Sequence, residues 1–248
     1  MSKWPAGYER VILTETDSTM AEAARRAPKT NAPTWILAEH QTAAKGRRGR
    51  AWVHPKGNFA ATLLLRPTEP PEIIALRSFV AALALADAFD VLTGQPEAFS
   101  LKWPNDVLLN GAKVAGILLE ASGQRPSTRY LSIGIGINLA SAPVADELEA
   151  RAVAPVALSS LGARIEPTEC LDALAVAYAH RETQFTTYGF EPIRAAWLAR
   201  AARLGEEITA RTGATERTGL FETVDNDGNL VLTTDNHRHA IPAADVFF

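Results

Sequence analysis

Lys45, Arg47, Arg48 and Arg50 place four positive charges within six residues, interleaved with Gly46 and Gly49. Like charges this close repel one another, so the segment stabilises nothing by itself and suits an anion. The glycines permit positive φ and close backbone approach, as a loop that wraps a ligand requires. Guanidinium forks match planar carboxylate and phosphate groups. A solvated basic loop or a nucleic-acid patch would carry the same residues.

A second constellation is Lys102-Trp103-Pro104-Asn105-Asp106-Val107, followed by Lys113-Val114-Ala115-Gly116-Ile117. Each lysine borders a strongly apolar run, where a cation needs an anionic partner. Asn105 and Asp106 carry groups that can read an adenine or ribose edge, and they are also ordinary turn residues. Ile133-Gly134-Ile135-Gly136-Ile137-Asn138 begins like a dinucleotide fingerprint, but Leu139 follows and the next glycine is absent, which argues against a Rossmann site. Glycines within such a strand mark the close approach of a ligand or of neighbouring backbone.

Other chemistries fail on inspection. The chain has no Walker phosphate loop, no Gly-x-Ser-x-Gly elbow and no Cys-x-x-Cys pair. His237 and His239 have no third ligand nearby in sequence and read as strand residues rather than a zinc site. Asp225-Asn226-Asp227-Gly228 brings its glycine too early for a calcium loop. Cys170, the only cysteine, lies in a helical pattern and reads as core.

The elements that must position these residues follow from periodicity and turn chemistry. Strands are predicted at Arg10–Leu13, Trp35–Ala38, Ala60–Leu65, Phe99–Trp103, Val107–Leu109, Val114–Glu120 and Tyr130–Asn138. Asp17-Ser18-Thr19 supplies N-cap side chains for a helix over Met20–Ala27. Longer helices are predicted at Pro71–Leu92, Thr168–Tyr188 and Pro192–Leu204, with a short one at Ala145–Ala150. Asn110-Gly111 signals a hairpin. Beyond Gly205 the pattern changes to short strands at Glu207–Arg211, Thr218–Val224, Leu230–Thr234 and His239–Ile241, as in a small β-barrel.

The totals narrow the function further. A length of 248 residues allows a large and a small domain. The net charge of −3 gives no global attraction to nucleic acid or anionic membrane, so any polyanion site is local. The longest apolar stretch, Phe79–Leu92, is interrupted by Asp87 and Asp90 and is too short to span a bilayer. A single thiol forms no intrachain disulfide, which fits a cytoplasmic protein.

Taken in order, Asp17-Ser18-Thr19, Gln41 through Trp52, Lys102–Asp106, Lys113–Glu120 and Gly134–Asn138 resemble the biotin protein ligases, and the region after Gly205 resembles that family's SH3-like domain. The resemblance implies an α+β fold: a mixed β-sheet flanked by helices over residues 1–204, related to lipoate ligases and class II aminoacyl-tRNA synthetases, with a small C-terminal SH3-like β-barrel over 205–248. It implies two steps: biotin and Mg-ATP give biotinyl-5′-adenylate and pyrophosphate, then a lysine of a biotin carboxyl carrier protein takes the biotin. The metal-binding residues stay unknown.

Matching positions then carry roles. The resemblance assigns Ser18, Thr19, Gln41, Lys45, Gly46, Arg47, Lys113 and Gly116 to biotin, with Ser18, Thr19 and Gln41 at the ureido ring. Arg47, Arg48, Arg50, Trp52, Asn105, Asp106 and Asn138 fall to ATP and the adenylate. Lys113 and Arg47 would neutralise the carboxylate and the α-phosphate, and Asp106 would help deprotonate the acceptor lysine. Two positions depart from the family pattern: Ala44-Lys45 replaces Gly-Arg, losing the fork, and Met20 stands where a polar residue is usual.

Only sixteen residues precede Asp17, too few for the family's DNA-binding helix-turn-helix, so a monofunctional enzyme that does not bind DNA is expected. A homodimer stays open. The alternatives are a lipoate or other acyl-acid ligase on the same fold and, from another class, a nucleic-acid-binding module using the basic loop. With no intrinsic order, that loop is expected to be mobile until an anionic ligand closes it.

Overall fold

The computed structural model describes residues 4–50, 52–122, 130–143, 153–235 and 237–248. The helix expected at Ala145–Ala150 lies outside the described residues. Seven strands form the main sheet: β1 (Glu9–Thr16), β2 (Thr34–Gln41), β3 (Phe59–Leu65), β4 (Phe99–Lys102), β5 (Asp106–Leu109), β6 (Ala112–Ser122) and β7 (Tyr130–Ile137). Their order is β1-β2-β3-β7-β6-β5-β4. Only β1 and β2 run parallel, joined through helix α1 (Thr19–Arg26), so the sheet is mixed.

Alternation along the central strands separates two faces. Leu63, Ile133, Ile135 and Ile117 belong to the main apolar core with helices α3 (Arg77–Thr93) and α4 (Pro167–Tyr188). Ile36 and Leu64 point the other way, to Ala23 and Ala27 of the α1 region. On that second face the row Ala60, Gly136, Gly116 and Asp106 runs side by side across β3, β7, β6 and β5. Most of this row lacks bulky side chains, so the sheet itself leaves room for a ligand.

The helix predicted from Pro71 is divided into α2 (Pro71–Ala75) and α3, with Leu76 between them. Helix α5 (Phe190–Leu198) starts and stops earlier than the predicted Pro192–Leu204. Its successor segment returns to the sheet edge, where Leu101 N–H donates to Arg200 O at 2.8 Å, and Leu101 O accepts from Ala202 N–H at 2.8 Å. Asn110 and Gly111, with φ of 49° and 81°, form the predicted hairpin turn between β5 and β6.

Five antiparallel strands make the C-terminal sheet: β8 (Glu207–Thr212), β9 (Thr215–Val224), β10 (Leu230–Thr234), β11 (His237–Ile241) and β12 (Asp245–Phe247), in the order β11-β10-β9-β8-β12. Strand β12 has no counterpart among the predicted elements. Buried Phe221, Val224, Leu230 and Leu232 join the same core as α3. Trp103 Nε1–H donates to Gly228 O at 3.0 Å, tying the turn before β5 to the β9–β10 turn.

Candidate active site

A cleft of about 960 Å³ opens on the glycine row. It is lined by Ser18, Thr19, Gln41, Lys45, Gly46, Arg50, Trp52, Asn105, Asp106, Lys113, Gly116 and Asn138, which are expected site residues drawn from strand ends scattered along the chain. Arg48 is not among the lining residues; its guanidinium pairs with Asp245, which is. Arg47 begins the loop's short turn, Arg47–Gly49, and its side chain lies outside the described portion.

One end of the cleft is neutral and polar. Ser18 caps α1, its hydroxyl oxygen accepting from Ala21 N–H at 3.1 Å, which leaves its O–H free to donate. Gln41 Oε1 accepts from Thr19 N–H at 2.8 Å and from the Thr19 hydroxyl at 3.2 Å. Thr62 in turn donates to Thr19 at 2.8 Å. With its oxygen engaged, Gln41 offers its NH₂, so this end presents donors to a carbonyl-type ligand group. Asp17 steadies the segment: its carboxylate accepts from Ser18 N–H and from two Arg25 nitrogens, the Arg25 contact holding the Asp17 carboxyl well below the usual carboxylate range.

The floor is shaped by missing side chains. Gly116 and Gly136 are cross-strand partners, and the Trp52 indole lies across both. A Cβ at Gly136 would stand 2.4 Å from Trp52 Cε2, and one at Gly116 would stand 3.2 Å from Trp52 Cζ3. At Gly134 the methionine that departs from the family pattern takes the space, with Met20 Sδ 2.7 Å from the Cβ position. The glycines singled out in sequence thus admit neighbouring side chains as well as leaving room above.

The other end is charged. Lys113 Nζ is 2.7 Å from Asp106 Oδ1 and 5.7 Å from the centre of the Trp52 ring. Buried Lys102 stands 4.0 Å from Asp106 Oδ2, so one carboxylate sits between two ammonium groups. Asn105 serves the scaffold too: its Nδ2 donates to Ile117 O at 2.6 Å, while its backbone carbonyl accepts from Ile117 N–H at 2.9 Å. Asn138 is buried with Nδ2 on Val156 O at 3.2 Å, and its Oδ1 has no hydrogen-bond partner among the described residues. Such an oxygen costs about 1–3 kcal/mol unless a donor meets it. An amino group on a ligand would do so.

The basic loop has more order than its charge pattern suggests. Gly46 N–H donates to Arg50 O at 2.8 Å and Trp52 N–H to Ala44 O at 3.0 Å, a hairpin that carries the loop across the cleft. Arg48, at φ 56°, and Gly49, at φ 73°, make its tip. Lys102, Met20, Gly134, Gly136, Asp245 and Phe247 also line the cleft without having been named as site residues. Gly134 and Gly136 were visible as strand glycines. Asp245 and Phe247 carried no local signal, because they reach the cleft only through the packing of β12.

Comparison with known proteins agrees with this arrangement. The Biotin/lipoate A/B protein ligase family matches residues 10–138, and the Biotin protein ligase C terminal domain matches residues 204–248. A biotin--[acetyl-CoA-carboxylase] ligase of Paracoccus denitrificans is 53% identical over 96% of this chain and 99% of its own. The bifunctional ligase/repressor BirA of Bacillus subtilis is 31% identical over 95% of this chain and 71% of its own length. The structure of the Aquifex aeolicus biotin protein ligase in complex with biotin and ATP superposes with a TM-score of 0.82 at 26% identity, covering 96% of this chain and 98% of that one. The chain belongs to the biotin protein ligase family.

Proposed function

We propose that the chain activates biotin with Mg-ATP and transfers it to a lysine of a biotin carboxyl carrier protein. The observation that carries this reading is the polarity of the cleft: neutral donors at Ser18 and Gln41 at one end, Lys113 and the basic loop at the other. A neutral bicyclic head with an anionic tail fits the first, and a nucleotide triphosphate fits the second. Residues 1–204 form the catalytic domain in this reading and 205–248 the C-terminal domain.

In the first step a biotin carboxylate oxygen attacks the α-phosphorus, and the bond to the bridging oxygen breaks with its electron pair leaving on pyrophosphate. Two anions must meet, so fixed positive charge from Lys113 and Arg47 lowers the barrier. Trp52 bounds the reacting centre, and Asn138 Oδ1 takes an amino donor of the base. In the second step the acceptor amine attacks the acyl carbon and AMP departs. Asp106 attracts the incoming ammonium and takes its proton.

Mg²⁺ enters as part of Mg-ATP, a substrate rather than a resident metal. Among the described residues no group of three or more His, Cys, Asp or Glu side chains is arranged to hold an ion. Among them no helix is long and apolar enough to cross a membrane. We place the reaction in the cytoplasm and assign no DNA partner, in keeping with the net charge of −3. Purified chain, biotin, Mg-ATP and a carrier domain should give a mass shift on one acceptor lysine. Lipoate in place of biotin should give none, and a shift with lipoate alone would reassign the acid.

A further inference from the structure

Three guanidinium groups converge on one carboxylate at the edge of the cleft. Asp245 Oδ2 lies 3.5 Å from Arg50 Nη2 and 3.4 Å from Arg211 Nη2, and it also bonds Arg48 Nη1. Arg48 and Arg50 come from the basic loop, whereas Arg211 belongs to β8 and faces Asp245 as its cross-strand partner on β12. The Arg211 guanidinium lies over the Phe247 ring, 4.8 Å from its centre, which restricts where the fork can point. Asp245, Phe247 and Arg50 all line the cleft.

The charges of this group do not balance. Arginine stays protonated at any accessible pH, so three cations face a single anion. Asp245 is mostly buried, which weakens the solvent screening of the excess. A second anion with several oxygens would relieve it, and guanidinium forks are suited to phosphate.

We infer that Arg211 is a nucleotide-binding residue contributed by the C-terminal sheet. With Arg48 and Arg50 it forms a subsite for the β- and γ-phosphates of ATP, and therefore for the pyrophosphate leaving group. Asp245 is the counter-ion that holds the three arginines together when that subsite is empty. This rests on the ligase reading above. As the α-phosphorus bond to the bridging oxygen breaks, the electron pair collects on pyrophosphate, and the three guanidiniums stabilise it without any proton transfer.

The test uses the full chain as wild type, Arg211→Ala and Arg211→Lys. Biotin-dependent exchange between pyrophosphate and ATP gives KM for ATP, pyrophosphate and biotin. Transfer from separately prepared biotinyl-5′-AMP to a carrier domain reports the second step, which involves neither outer phosphate. Arg211→Ala should raise KM for both ATP and pyrophosphate about tenfold, as expected for a lost charge-assisted hydrogen bond. Arg211→Lys should recover part of that loss, with KM for biotin and transfer from the adenylate unchanged. Unaltered KM values for ATP and pyrophosphate would overturn the assignment, as would an equal loss in the transfer step, which would make Arg211 structural. A wild-type chain without exchange would overturn the ligase reading itself, and this assignment with it.

Discussion

Lys113 reaches Asp106, at 2.7 Å, across a β-bulge. Asp106 pairs with Gly116 and Val107 with Ala115, but Leu108 then pairs with Lys113, leaving Val114 as the extra residue of β6. In a regular strand Lys113 would share a face with Ala115 and enter the apolar core. The bulge re-aims it onto the cleft face, where its Nζ stands 3.4 Å from the Cβ position of Gly116.

From this follows the expectation for Lys113→Ala. Removing a preorganised charge at the reacting centre commonly costs about a hundred-fold or more. Biotin-dependent exchange between pyrophosphate and ATP should fall by that order while ATP binding changes little. A folded variant with near-normal exchange would assign Lys113 to structure alone.

Gly136→Ala tests the floor of the cleft. The added methyl carbon would lie 2.4 Å from Trp52 Cε2, so the indole must leave the Gly116–Gly136 pair. Adenylation should drop with a raised KM for biotin, and tryptophan fluorescence should shift because Trp52 moves. Wild-type emission together with wild-type KM would show that the indole does not need this space.

Gly228→Ala tests the anchor between the sheets. At φ 81° an L side chain is disfavoured, and its Cβ would stand 2.9 Å from Leu76 Cδ2 and 3.0 Å from Phe79 Cε2. Overpacking of this kind costs about 1–3 kcal/mol. Since Gly228 O receives the Trp103 indole N–H, the turn carrying Asn105 and Asp106 is disturbed as well. Urea unfolding should show a lower midpoint with an unchanged slope, and an unmoved midpoint would refute the anchor.

His54 makes stability depend on pH. Its Nε2–H donates to Asn58 O at 3.0 Å, leaving Nδ1 as the site for a proton, and Nδ1 is buried with no partner among the described residues. Burial holds the His54 pKa below its ordinary value. Above about pH 6.5, the unfolded value, both states are neutral and stability is fully present. As pH falls below that value the unfolded chain binds the proton first, and stability is lost until the folded pKa is passed. Unfolding midpoints for wild type and His54→Asn, compared at pH 8 and pH 5, should show the smaller acid loss in the variant. Equal losses would remove His54 from the account.

Much of the site was legible locally. The Gly-Arg loop, the Lys-Trp-Pro-Asn-Asp segment and the Ile-Gly-Ile-Gly strand each owe their signal to residue type and near spacing, and all of them line the cleft or its edge. Strand positions on the main sheet were equally readable, because β3 and β7 are continuous apolar runs bounded by turns. Trp103 was readable only as part of a motif. Its role as an anchor depends on Gly228, distant in the chain, and nothing near Trp103 signals that partner.

The amino-acid sequence by itself determined the family, the mixed α+β class and which residue types bear charge toward a ligand, since these rest on composition, period and short motifs. Only the tertiary structure decided the strand order, the bulge that turns Lys113 to the cleft, and the meeting of Arg48, Arg50 and Arg211 at Asp245. Each of these is a long-range pairing. Its energy comes from surfaces that touch after folding, so no local stretch of residues carries its signature.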